Sequence, residues 1–154
     1  RKKNPILGFV YNPETKEFFH ATENSYAFCN NRKISVSKKE NLEKLTIAIS
    51  SSEKKQFDLH DINIKKLLKI GSIAYKIALV AKGTIDVTLS FTKKNDWDLA
   101  AAILILNKAG GLCTTITGKN IEFNSNDLKI SSVLSSNKII HNKLSNRLSK
   151  KYVK

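Results

Sequence analysis

Lys93-Lys94-Asn95-Asp96-Trp97-Asp98-Leu99-Ala100-Ala101-Ala102, running on to Ala109-Gly110-Gly111, is the most informative segment of the chain. From Leu99 to about Lys108 the residues are apolar nearly all round, which predicts a helix buried on most sides. Ala-Gly-Gly supplies its stop. Asp98 then stands in the first turn of a buried helix with small residues behind it. The helix dipole favours a carboxylate there by ~0.3–1 kcal/mol, so an arbitrary Asp in this place is most simply a cap.

Upstream, Ile73, Ile77, Val80 and Ala81 recur at helical spacing, with Ser72 as N-cap and Gly83 as stop, predicting a helix over 72 to about 82. Residues 84–91 alternate as a strand with Ile85, Val87, Leu89 and Phe91 on one face. The beginning of the chain predicts a hairpin: strands over 6–11 and 17–22 flank the turn residues 12–16. A second, shorter hairpin is expected around Asn30-Asn31, pairing 26–29 with 34–37. Residues 45–49 read as a further strand, followed by a polar loop over 50–55. Downstream come strands over 112–116 and 130–134 and an amphipathic helix over about 138–148. Helix alternates with strand and no repeat or linker interrupts, so residues 1–154 read as most of one layered α/β domain.

The 154 residues suffice for one continuous core. Hydrophobic residues make up 41% and charged residues 26%, without low-complexity tracts, which predicts order almost throughout. Lys and Arg number 27 against 13 Asp and Glu, and the resulting +14 attracts phosphorylated small molecules, nucleic acid or anionic lipid. The lysines are scattered, so a general over-use of Lys, Ile, Asn and Ser accounts for the charge better than a dedicated basic stripe does. Cys29 and Cys113 have neither a C-x-x-C partner nor a His at ligand spacing and read as buried free thiols of a reducing compartment. No window approaches the ~18 consecutive apolar residues of a membrane span, and no signal peptide opens the chain, so the expected localisation is cytoplasmic. His20, His60 and His141 lack ligand spacing and read as surface or hairpin decoration. Trp97 reads as core, packed beside the site and not in it.

Trp97-Asp98 followed by small residues and, about ten positions later, Ala109-Gly110-Gly111 resembles the C-terminal signature of the inositol monophosphatase superfamily. The resemblance continues in order: Ile70-Gly71-Ser72-Ile73-Ala74 through Leu79-Val80-Ala81-Lys82-Gly83 looks like the Gly-Ser segment and following helix. Asp86 falls where many members carry Asp in the next strand. Pro5-Ile6-Leu7-Gly8-Phe9-Val10-Tyr11-Asn12-Pro13 and Phe18-Phe19-His20-Ala21 resemble the hairpin that precedes them. The fold so implied is the layered α/β sandwich of the inositol monophosphatase and sugar phosphatase type, here its C-terminal portion only.

The resemblance implies a magnesium-dependent phosphoric monoester hydrolase, in which carboxylate-held ions polarise the phosphoryl oxygens and activate water. Asp98 would be a metal ligand near the leaving-group side of the substrate, and Gly71 and Ser72 would line the substrate pocket at a helix start. The other ligands of the family come from an earlier Gly-Glu-Glu segment and an Asp-Pro-x-Asp-Gly-Thr motif, and neither occurs in this sequence. The expectation is therefore a chain without the N-terminal metal-site segment, inactive alone, with that segment and a homodimer mate among its implied partners. Members that take inositol phosphates carry a Glu before Trp-Asp, whereas Leu89-Ser90-Phe91-Thr92 has no carboxylate. The longer loop 92–96 and its Asp-Trp-Asp ending are more similar to bacterial 3'(2'),5'-bisphosphate nucleotidases, with Lys93 or Lys94 placed to meet a second phosphate. An inositol-1-phosphate phosphatase is the alternative within the family. A non-catalytic basic module that binds RNA or protein is the alternative outside it.

Overall fold

The computed structural model describes residues 4–53 and 62–152. Four layers stack: an antiparallel sheet, a helix pair, a mixed sheet and a final helix. The first sheet is built from β1 (Leu7–Asn12), β2 (Glu17–Thr22), β3 (Phe28–Cys29) and β4 (Arg32–Lys33), in sequence order. The opening hairpin is as expected, with Leu7 opposite Thr22 and Asn12 opposite Glu17. The second hairpin is shorter than expected. Its return strand ends at Lys33, and Val36 instead donates its N–H to the carbonyl of Ala109, at the end of the long helix.

The second sheet has the order β6-β5-β7-β11-β9. Its strands are β5 (Leu45–Ile49), β6 (Ile64–Lys69), β7 (Val87–Ser90), β9 (Gly111–Thr114) and β11 (Val133–Asn137). β5 runs parallel to both β6 and β7, while β11 is antiparallel to β7 and β9. β6 is not legible in the sequence: Ile-Lys-Lys-Leu-Leu-Lys has no clean alternation, because it is an edge strand with exposed lysines. The expected strand over 130–134 divides in two. Lys129–Ile130 forms β10 and pairs with β8 (Lys94–Asn95), and Val133 begins β11.

Helices α1 (Ile73–Ala81) and α2 (Asp96–Lys108) pack on each other between the sheets, and α3 (Lys138–Tyr152) covers the outer face of the mixed sheet. One core lies around α1 and α2, with Phe19, Ile77, Ile85, Leu99 and Leu106 inside. The other, between the mixed sheet and α3, holds Ile47, Val87, Leu89, Leu134 and Leu144. β7 is thus buried on both faces, and Ile85 leaves the row expected with Val87 and Leu89. The chain bends before β7 as Asp86 accepts from the Thr46 N–H (2.8 Å) and the Lys39 Nζ (2.7 Å), which places Ile85 against the helix pair.

Gly8 fixes how closely the first sheet approaches α2. A Cβ there would sit 2.8 Å from the Ala101 carbonyl oxygen and 2.9 Å from its Cα, so only glycine permits the contact. Gly83 stops α1 at φ +74 as anticipated. Both cysteines are buried free thiols. His141 corrects the surface reading: it is 2% exposed, because it turns inward beside Ile140 and Leu144 and its Nε2 lies 3.1 Å from the Thr114 hydroxyl. His60 lies outside the described residues. Among the described residues no helix is long and apolar enough to cross a membrane.

Candidate functional site

Parallel strands β5 and β6 both end at one edge of the mixed sheet, where α1 and α2 both begin, and the carboxyl ends of such strands are where α/β sheets form ligand crevices. A cleft of about 800 Å³ opens there. Gly71, Ser72 and Asp98 line it, and of the two lysines considered for a second phosphate Lys94 lines it while Lys93 does not. They come from two separate stretches of chain, and their convergence is a property of the fold.

Ser72 caps α1, its hydroxyl accepting the Tyr75 N–H at 3.2 Å, and Gly71 faces open space, with nothing within 4 Å of where a Cβ would stand. The backbone at this corner is therefore exposed to whatever enters. Asp98 occupies the third position of α2 and not its cap, which is Asn95. Its Oδ2 accepts from the Asn95 N–H at 3.4 Å and side-chain amide at 3.2 Å, so the helix start and the carboxylate hold each other. Lys94 is only 16% exposed at its side chain. It donates to the Thr92 carbonyl (3.2 Å) and hydroxyl and lies 3.7 Å from Glu53 Oε1.

Trp97 is 68% exposed and lines the cleft, contrary to the expectation of a core position. Successive residues of a helix point about 100° apart, so a buried Leu99 and a half-buried Asp98 turn Trp97 outward. Phe9 and Tyr11 of β1 continue the same wall and are more than half exposed.

Glu53 is the group that sequence reading missed. It is fully buried beneath Ser90, Phe91 and Thr92, the segment that itself contains no carboxylate. Its Oε2 accepts the Phe91 N–H at 2.8 Å, and its Oε1 accepts the hydroxyls of Thr92 (2.8 Å) and Ser90. Burial pushes this carboxyl upward, but those hydrogen bonds together with the Lys94 charge outweigh it and hold Glu53 below the ordinary range. No local pattern announces the arrangement, since Glu53 and Ser90 are 37 residues apart.

Among the described residues no three His, Cys, Asp or Glu side chains gather where they could hold a metal ion. Asp98 is one carboxylate, with one oxygen engaged by Asn95. It does not by itself furnish the six or so oxygens of a magnesium shell.

The model of the family described as "Inositol monophosphatase family" matches residues 1–153. The chain belongs to the inositol monophosphatase family. It is 33% identical over 132 residues to a fructose-1,6-bisphosphatase of Pyrococcus furiosus, covering 82% of this chain and 50% of that protein. Identity is 30% over 143 residues with an inositol-1-monophosphatase of Bacillus subtilis, covering 88% and 52%. The crystal structure of extragenic suppressor protein SuhB from Bartonella henselae superposes with a TM-score of 0.79 at 29% identity, over 96% of this chain and 59% of that one. The inositol monophosphatase fold is thus present, and the chain spans about half the length of the curated relatives it matches.

Proposed function

We propose that this chain is the cleft-forming part of a magnesium-dependent phosphomonoesterase of the 3'(2'),5'-bisphosphate nucleotidase kind, inactive by itself. The carrying observation is the convergence of Asp98, Gly71, Ser72 and Lys94 on one cleft. In this reading Asp98 supplies one metal-ligating carboxylate, and the open corner at Gly71 and Ser72 receives a phosphate at the start of α1. Lys94 meets a second anionic group. Magnesium, when held with carboxylates beyond those of the described residues, supplies Lewis-acid and water-activating chemistry.

An inositol-1-phosphate phosphatase is the second reading within the family, favoured by the name of the Bacillus subtilis relative. Hydroxyl-rich substrates call for an available carboxylate near the segment 89–92. Glu53 is there, but at 0% exposure its oxygens are committed to the protein, and this favours the bisphosphate reading.

A partner segment completing the site also fits the shape of the molecule. The outer face of the first sheet exposes Leu7, Phe9, Tyr11 and Phe18, and this face runs into the cleft wall. The test is to add the segment of the Bacillus subtilis relative that lies outside the match. Phosphate release from 3'-phosphoadenosine 5'-phosphate and from inositol 1-phosphate is then followed with and without magnesium. Magnesium-dependent release that favours the bisphosphate is expected; preference for inositol 1-phosphate would overturn the substrate assignment, and no release from either would overturn the enzymatic reading.

A further inference from the structure

Lys76 is a lysine placed where an apolar residue belongs. On α1 it falls on the same stripe as Ile73, Ile77 and Val80, and it is 0% exposed. Its Nζ donates to the Ser50 hydroxyl at 2.5 Å and to the Ile70 carbonyl at 3.0 Å, the groups that end β5 and β6. Ser50 lines the cleft, so the buried ammonium is one hydrogen bond away from it. Both partners of Lys76 are neutral.

Glu53 lies on the same side, in the 3₁₀ turn Ser51–Glu53, and ties that turn to 90–92 and to Lys94. The turn residues Ser51 and Ser52, like Lys94, line the cleft. Two carboxylates, Glu53 and the cleft-lining Asp98, lie on this side among the described residues; Glu53 pairs with Lys94 at 3.7 Å, and neither pairs with Lys76, whose ammonium is left without a contacting counter-charge beneath the cleft wall. A buried charge without a counter-charge is costly, and an anion delivered from the cleft would offset that cost in a medium where screening is weak.

We propose that Lys76, Glu53 and Lys94 build an anion subsite into the 50–52 side of the cleft. Lys94 contacts the second anionic group of a bisphosphate, while Glu53 and Lys76 are positioning residues that hold the wall and its charge. The proposal deepens the bisphosphate reading and rests on the cleft being a phosphate-ester site. Supporting it, burial lowers the Lys76 ammonium to about 8, with Glu53 pulling its value up and Lys94 pushing it down. An anion bound nearby would raise it again, so binding near pH 8 takes up protons.

The experiment is calorimetric titration of the full chain at pH 8 with adenosine 3',5'-bisphosphate and, separately, adenosine 5'-monophosphate. Each is run in two buffers of different ionisation enthalpy. The bisphosphate is expected to bind about tenfold more tightly, with uptake of a fraction of a proton. Lys94→Gln should remove the preference, and Lys76→Met should remove the proton uptake. The proton count on the unaltered chain tests the idea even if a variant fails to fold. Equal binding of the two nucleotides, binding without proton uptake, or no binding at all would each overturn the subsite. A bisphosphate preference with proton uptake, combined with no phosphate release from the reconstituted enzyme, would instead uphold the subsite and defeat the phosphatase reading.

Discussion

Asp98 and Asn95 hold one another at the start of α2, and that pairing separates the two roles a carboxylate can have there. An amide at position 98 can still accept from Asn95, so Asp98→Asn should change unfolding free energy by no more than ~1 kcal/mol in a urea titration. In a reconstituted enzyme the same substitution should remove most metal-dependent turnover, and an unchanged rate would refute the ligand role. Glu53 behaves in the opposite way. Glu53→Ala strips acceptors from Ser90, Phe91, Thr92 and Lys94 in a fully buried place and should cost about 3–5 kcal/mol. Since the folded state holds the Glu53 carboxyl below its ordinary 4.5, its contribution is complete above that pH and is lost as the pH falls through the folded-state value. For Lys76, lowered from 10.5 to about 8, the unfolded chain binds more protons across that window. Stability should therefore rise between pH 8 and 9, and Lys76→Met should lose that rise; above pH 9 the buried Cys113 thiol, pushed up from 9 to about 12, acts in the opposite sense. A flat profile between pH 8 and 9 in the unaltered chain would contradict the burial of the ammonium.

At the scale of elements, what could be read in advance depended on whether the determining contacts were local. The β1–β2 hairpin, β5 and α1 follow from alternation, turn residues and an N-cap, all within a few positions of each other. Edge strand β6 did not, because its lysines face solvent and break the alternation. Trp97 looked like core from its company, whereas its direction is set by the rotation of α2. Lys76 was in principle visible as a cation on an apolar stripe, but its partners Ser50 and Ile70 belong to strand ends that only the fold brings together. The same holds for the site: Gly71, Ser72, Lys94 and Asp98 were legible through a family pattern, and Glu53 was not. The approach of β1 to α2 is the contact that fits the first sheet to the cleft. Gly8→Ala places a methyl against Ala101 and should cost about 1–3 kcal/mol, read as a lowered urea midpoint.

For the whole molecule, a portion of the family fold surrounds a cleft lined by one carboxylate, Asp98, for which a metal-ligating role is proposed. The chain covers about half of its relatives' length, and its exposed aromatic wall adjoins that cleft. These facts meet in one claim, that Asp98 is a single member of a larger ligand set. The most direct test is phosphate release from 3'-phosphoadenosine 5'-phosphate by this chain alone, with and without magnesium. The account predicts no release under either condition, while magnesium-dependent turnover would contradict it by showing that the carboxylates of this chain suffice.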